Sequence, residues 1–207
     1  MPAIERWHAT WDALGAARSS TLNALYGELQ DRYAEPHRAY HTAQHLDECF
    51  AQLDIYVAAS AQPPRHPAEI ELALWFHDAI YERKGDNEGR SADWARDAAL
   101  AAGVAPEAAA RVHELILCTR HAVEPPPGDA QVLVDVDLSI LAAPAPRFAE
   151  YERQIRHEYR WVPGFVFKRE RRKVLQGFLD RPRIYSTPCL HDRLEQAARA
   201  NLAAALG

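Results

Sequence analysis

The chemistry in this 207-residue chain is concentrated in a few histidines and aspartates that stand where apolar residues are expected. Ile70, Ala73, Leu74, His77 and Asp78 follow the i, i+3, i+4, i+7, i+8 spacing of one buried helical stripe. The stripe is apolar until its last turn, where it becomes a histidine and an aspartate. An unpaired buried carboxylate is costly or is neutralised by a pKa shift, and a divalent cation would compensate both groups at once. The plainer alternative is that His77 caps a core helix and Asp78 opens a loop. A second His-Asp pair, His191-Asp192, follows a proline-containing loop and opens the polar run DRLEQAARANL, which gives it a surface or capping role.

Two other segments offer partners to the first pair. In Tyr40-His41-Thr42-Ala43-Gln44-His45 the two histidines lie four apart, on one face if the helix reaches back that far. Two solvated histidines near a helix start are the alternative. In VLVDVDLSIL the stripe Leu133, Val136, Asp137, Ile140 and Leu141 is apolar apart from Asp137. Asp135 falls on a different face, so Asp137 is the expected ligand and Asp135 the supporting or structural acid. His45, His77, Asp78 and Asp137 make a mixed nitrogen and oxygen set that leaves positions for water and substrate. It suits Mn, Fe(II), Co, Ni or Mg better than structural zinc. The expected chemistry is hydrolysis, with the cation lowering the pKa of a bound water and polarising a phosphoryl oxygen.

The elements that must position these residues are helical. Apolar periodicity predicts helices at about 3–17, 19–34, 42–60, 67–80, 87–102, 106–120, 129–142, 147–159, 165–179 and 189–205, and alternating strand patterns are nearly absent. Pro36, Pro63-Pro64, Gly85, Gly103 and Pro125-Pro126-Pro127-Gly128 interrupt them. Pro67 and Pro106 suit first-turn positions, and Thr42 and Asp86 suit N-caps. We expect one all-α domain over the whole chain, with a helical core over roughly 35–145 and outer helices over 1–34 and 146–207.

Composition narrows the function. A hydrophobic fraction of 48% and a charged fraction of 26% are those of a globular protein, and the net charge of −5 argues against a surface that coats nucleic acid. Cys49, Cys118 and Cys189 are scattered, with no CxxC pair, and read as reduced thiols; Cys49 and Cys118 read as core fillers. The amino terminus lacks the apolar run of a signal peptide, and VLVDVDLSILAA is too short and too acidic to span a bilayer. A cytoplasmic protein with neither membrane nor nucleic-acid partner is expected; the sequence assigns no oligomeric state.

The order His45, His77-Asp78, Asp137, each on its own helix, resembles the HD superfamily of metal-dependent phosphohydrolases. The likeness is to a branch of small bacterial predicted HD phosphohydrolases, carried by AYHTAQHL, ELALWFHDAIYE, DNEGRSA, LILCTRH, VLVDVDLSIL, YERQIRHEY and ARANL between about residues 35 and 205. The resemblance implies an HD-type helical bundle with the metal at its centre. YHTAQH is also similar to the YHNxxH motif of cyclic-nucleotide phosphodiesterases, with Thr42 in place of the Asn. That likeness implies that His41 is the general acid and His45 a metal ligand. In two-metal members extra histidines bind the second cation, a role that would fall to His121, otherwise a loop histidine after a helix end. Glu88, favoured near a helix start by the dipole alone, would orient the attacking water. Arg38, Lys84, Arg120 and Arg156 are candidates for phosphate.

The expected activity is thus hydrolysis of a small phosphomonoester or nucleotide by metal-bound water, with one divalent ion or two. The alternatives are a di-iron HD-fold oxygenase and a non-catalytic module that binds a nucleotide or a metal.

Overall fold

The computed structural model of the chain describes residues 2–207. Among them there are ten α-helices and no strand, an all-α architecture. The helices are α1 (Ile4–Ala13), α2 (Ser20–Tyr33), α3 (Ala43–Ala59), α4 (Pro67–Phe76), α5 (Asn87–Ala101), α6 (Pro106–Cys118), α7 (Asp129–Asp137), α8 (Ala145–Glu158), α9 (Gly164–Leu179) and α10 (Pro188–Leu206). A 3-10 turn, Leu138–Ala142, continues α7. No helix is long and apolar enough to cross a membrane.

The middle of the bundle is α4. Seven of its ten residues are buried, and it touches α1, α3, α5, α6 and α7. A helix apolar nearly all round is stable only inside such a ring of neighbours. Trp75 and Phe76 meet Trp7 edge-on or tilted, with ring centroids 5.2 and 6.2 Å apart. Trp7 and Trp11 of α1 are fully buried, and each side chain of that size contributes roughly 1.5–3 kcal/mol or more on burial.

Local chemistry sets the helix starts. Pro67 and Pro106 occupy first-turn positions of α4 and α6, where a missing N–H costs nothing. Thr42 and Asp86 cap α3 and α5, accepting from the backbone N–H of Gln44 and Gly89. A Cβ at Gly89 would overlap the Asp86 carboxylate and crowd the Arg120 guanidinium packed on the cap, so a side chain there would displace the capping pair.

The helix ends near the chemistry depart from simple periodicity. Helix α4 stops at Phe76 rather than near residue 80. His77 follows as its cap, and the carbonyls of Asp78 and Ala79 are taken by Arg38 at 2.6 and 2.9 Å instead of by a further helical turn. Helix α3 starts at Ala43, so His41 lies in the turn before it and does not share a helical face with His45. Helix α6 ends at Cys118, and His121 follows with φ of +53°, the left-handed region unusual for a residue with a side chain.

Candidate metal centre

Four side chains from three helices converge beside the C-terminal end of α4. His45 comes from the first turn of α3, His77 and Asp78 from the two positions that follow α4, and Asp137 from the last residue of α7. His45 Nε2 lies 3.1 Å from His77 Nε2, 3.1 Å from Asp137 Oδ1 and 3.5 Å from Asp78 Oδ2. His77 Nε2 lies 3.1 Å from Asp78 Oδ2 and 3.6 Å from Asp137 Oδ1. Donors about 2.1 Å from one shared ion stand roughly 3.0–3.4 Å apart in octahedral or tetrahedral geometry, so the spacing fits a cation.

The hydrogen bonding behind the donors fits as well. His77 Nδ1 lies 2.8 Å from the Leu74 carbonyl, which can only accept, so Nδ1 carries the proton. In neutral His77 the lone pair is then on Nε2, facing the other three groups, as a ligating imidazole requires. Without a cation the cluster is held by protons. Burial disfavours an imidazolium, yet the Asp78 and Asp137 charges outweigh it and hold His77 well above the ordinary histidine value. Burial likewise opposes ionisation of Asp137, and hydrogen bonds from His121, His45 and His77 overcome it, holding the carboxyl well below its usual range. The buried set His45, Cys49, His77 and Asp137 can hold a metal ion, with donor atoms all within 4.8 Å of one another. Cys49 Sγ stands 3.7 Å from both ring nitrogens of His45 and Cys49 is 1% exposed. Asp78, by contrast, lines an open pocket on the other side.

That pocket has a volume of about 570 Å³, within the range for a small ligand. Its walls bring in His41, Glu88 and His121. His121 Nε2 is 3.0 Å from Asp137 Oδ2, so the aspartate offers one oxygen to His45 and His77 and the other to His121. No protein-family model, curated protein or solved structure matches this chain. What the site can do therefore rests on its own geometry.

The pocket-lining His41 has a carboxylate partner that sequence reasoning missed. His41 Nδ1 lies 2.7 Å from Glu158 Oε2. Glu158 Oε1 accepts from the backbone N–H of Ala39, Tyr40 and His41, and Oε2 also accepts from the Tyr81 hydroxyl at 2.9 Å. Burial would raise the Glu158 carboxyl, but the His41 hydrogen bond, its charge and the backbone donors bring it from 4.5 down to about 2. His41 is correspondingly raised: burial pulls it down, and Asp78 and Glu158 more than restore it. Tyr81 also stacks on the His41 ring at 4.1 Å. A signal for Glu158 was present in the chain. Phe148, Tyr151, Ile155 and Glu158 make a helical stripe that ends in a carboxylate, the same pattern that marks Asp78.

Three of the phosphate candidates are placed elsewhere. Arg38 is buried, and its guanidinium donates to Glu35 and to the carbonyls of His41, Asp78 and Ala79. It is a clamp between the His41 turn and the end of α4, with four of its five N–H donors committed to protein acceptors, and it does not line the pocket. Arg156 donates to the carbonyls of Tyr159 and Val162 and lies over Phe167. Lys84 belongs to a separate surface depression with His37 and Trp161. Arg120 does line the pocket, but it pairs with Asp86 at 2.6 Å. Asp135 lies away from the cluster and fastens α10, accepting from Ser186 N, Thr187 N and Thr187 Oγ1 at 2.7–2.8 Å.

Proposed function

We propose that this protein is a metal-dependent phosphohydrolase of the HD type, acting on a small phosphomonoester or nucleotide. One observation carries the reading: His41, paired with Glu158 behind it, lines the same pocket as Asp78 and Asp137, the two carboxylates of the histidine–carboxylate cluster. A divalent cation held there supplies a Lewis acid for a phosphoryl oxygen and a water of lowered pKa.

The chain's own residues do the rest. His45, His77, Asp78 and Asp137 would hold the cation, with Mn, Fe(II), Co, Ni and Mg all compatible with nitrogen and oxygen donors. His77 is fixed in its ligating tautomer by the Leu74 carbonyl. Glu158 occupies His41 Nδ1, which leaves Nε2 to present a proton to the pocket. As the water oxygen bonds to phosphorus and the ester P–O bond breaks, that Nε2 proton passes to the departing oxygen. Glu88, on the first turn of α5 and in the pocket wall, would orient the attacking water.

A panel of phosphomonoesters and nucleotides, run with each of these metals, tests the reading. Turnover that disappears in Asp78→Ala together with the bound metal supports it. Tight nucleotide binding without turnover in any metal would make the protein a binding module instead.

One observation favours a second reading. The division of the Asp137 oxygens between His45/His77 and His121 would let the aspartate serve a second cation held with His121. A di-iron oxygenase is the corresponding activity. Two irons per chain with no phosphatase activity would decide for it.

A further inference from the structure

Four cationic side chains line the pocket, and three are already neutralised. Arg120 pairs with Asp86, Arg171 with Glu152, and Lys173 with Glu170. Arg181 is the exception: among the described residues no carboxylate partners it. Its Nη2 donates to the His121 carbonyl at 2.9 Å, and its guanidinium lies 4.6 Å over the Phe178 ring. A half-buried guanidinium normally finds a carboxylate, because withdrawing it from water is costly and a carbonyl offsets only part of the cost. Burial indeed weakens its hold on its proton, and only the more remote charge of Glu124 acts against this. The remaining fork donors are suited to a planar or tetrahedral anion.

Two further observations point to a ligand in this pocket. The Tyr40 hydroxyl, in the same pocket, is buried without a hydrogen-bond partner, and buried hydroxyls are rarely left so. The stretch 164–183 carries seven Lys and Arg against two acids, in a chain whose net charge is −5. Of these, Arg171, Lys173 and Arg181 line the pocket, and Arg181 is the one among them without a carboxylate partner among the described residues, so anions are drawn to that point of the wall. The position also matters. His121 separates Arg181 from Asp137, its carbonyl on the arginine and its ring nitrogen on the aspartate. Arg181 thus stands off from the carboxylates by the span of one residue.

We propose that the pocket holds a second anion subsite, centred on Arg181, so that the substrate carries a negatively charged group in addition to the phosphoester presented to the histidine–carboxylate cluster. The identity of the first anion rests on the hydrolase reading; the existence of the second does not. The substrate class narrows accordingly to phosphoesters with a further phosphate or carboxylate.

Binding of non-hydrolysable pairs separates the two questions. Phosphonocarboxylates with two, three or four linking carbons are titrated by calorimetry against alkylphosphonates of matched length, on the metal-loaded protein. At the best-fitting length the wild type should bind the phosphonocarboxylate about tenfold more tightly than its alkyl partner. Arg181→Gln should abolish that preference while leaving alkylphosphonate affinity and metal content unchanged, and Arg181→Lys should restore part of it. Equal affinities in the wild type at every length, or a preference that survives Arg181→Gln, overturn the proposal. A tenfold loss for both ligand types in Arg181→Gln also overturns it, by placing the arginine on the phosphonate itself. Because the readout is binding, an absence of turnover would count against the hydrolase reading alone.

Discussion

His41 and Glu158 stand 117 positions apart in sequence and meet at 2.7 Å, with the carboxylate also gathering three backbone N–H groups from the turn that carries the histidine. The contact fixes both where the imidazole stands and how strongly it holds its proton. It is a positioning interaction, since Glu158 acts on the pocket only through His41.

A pH profile reads this directly. His41 is raised above the ordinary histidine value, so it keeps the proton it would donate to higher pH than a free imidazole does. Activity should fall on the alkaline side, as pH rises through the raised value. Glu158→Gln removes the stabilising charge while burial remains, so the alkaline limb should move to lower pH, with kcat at neutral pH lowered about 10²-fold or more. Metal content should be unchanged. An alkaline limb that stays in place would show that His41 is not the acid.

The same carboxylate makes an acid-side contribution to stability. Its pKa falls from 4.5 unfolded to about 2 folded, which corresponds to about 3 kcal/mol. A depressed carboxylate contributes fully above its unfolded value, so the contribution should be complete above pH 4.5 and vanish as pH falls through about 2. Denaturant unfolding of Glu158→Gln should therefore show a loss of about 3 kcal/mol at pH 7 that shrinks steadily toward acid. A loss independent of pH would assign the effect to packing.

Cobalt substitution distinguishes the two possible fourth donors. A cation on the pocket side takes Asp78, whereas a cation drawn toward the core takes Cys49. If Asp78 is the ligand, the Co(II) protein should lack the near-ultraviolet thiolate charge-transfer band, and Cys49→Ser should keep its metal while Asp78→Ala loses it. A thiolate band lost in Cys49→Ser would make the site a closed one, more structural than catalytic.

The helices were readable because their apolar stripes and breakers are local. All ten predicted segments have a counterpart, and Pro67, Pro106, Thr42 and Asp86 mark starts by chemistry contained within a few residues. The ends near the site were less readable, since the stop after Phe76 depends on Arg38, whose contacts to Asp78 and Ala79 span about 40 positions. Asp78 and Asp137 stood out as carboxylates in apolar stripes. Glu158 carried the same signal and was missed because nothing nearby in sequence names His41 as its partner. Cys49 was indistinguishable from core until His45 was placed beside it.

Arg38 offers a sharp contrast between clamp and phosphate binder. Replacing it by Met strips the carbonyls of His41, Asp78 and Ala79 of a charged donor, and buried acceptors left unpaired cost about 1–3 kcal/mol each. Arg38→Met should lose about 3 kcal/mol or more in denaturant unfolding, since the losses at neighbouring groups are not additive. Inhibition by inorganic phosphate should be essentially unchanged in whatever fraction stays folded. A tenfold weaker phosphate inhibition at full stability would return the arginine to the substrate.

His121 holds a left-handed backbone at φ +53° while its ring reaches Asp137. For a residue with a Cβ that conformation costs roughly 1–2 kcal/mol, a strain that persists only when something else requires the side chain there. If the requirement is the site, the fold should not need the imidazole. In the metal-free protein His121→Gly sets the backbone relief of about 1 kcal/mol against the lost hydrogen bond to Asp137, so its net change should stay within about 1 kcal/mol, and yet it should bind metal more weakly or at lower stoichiometry by elemental analysis. His121→Asn, which tolerates the backbone but has no imidazole, should show the same metal defect at wild-type stability. A glycine variant that loses 2 kcal/mol or more with its metal intact, beyond what strain relief and the one hydrogen bond to Asp137 allow, would make His121 a structural residue instead.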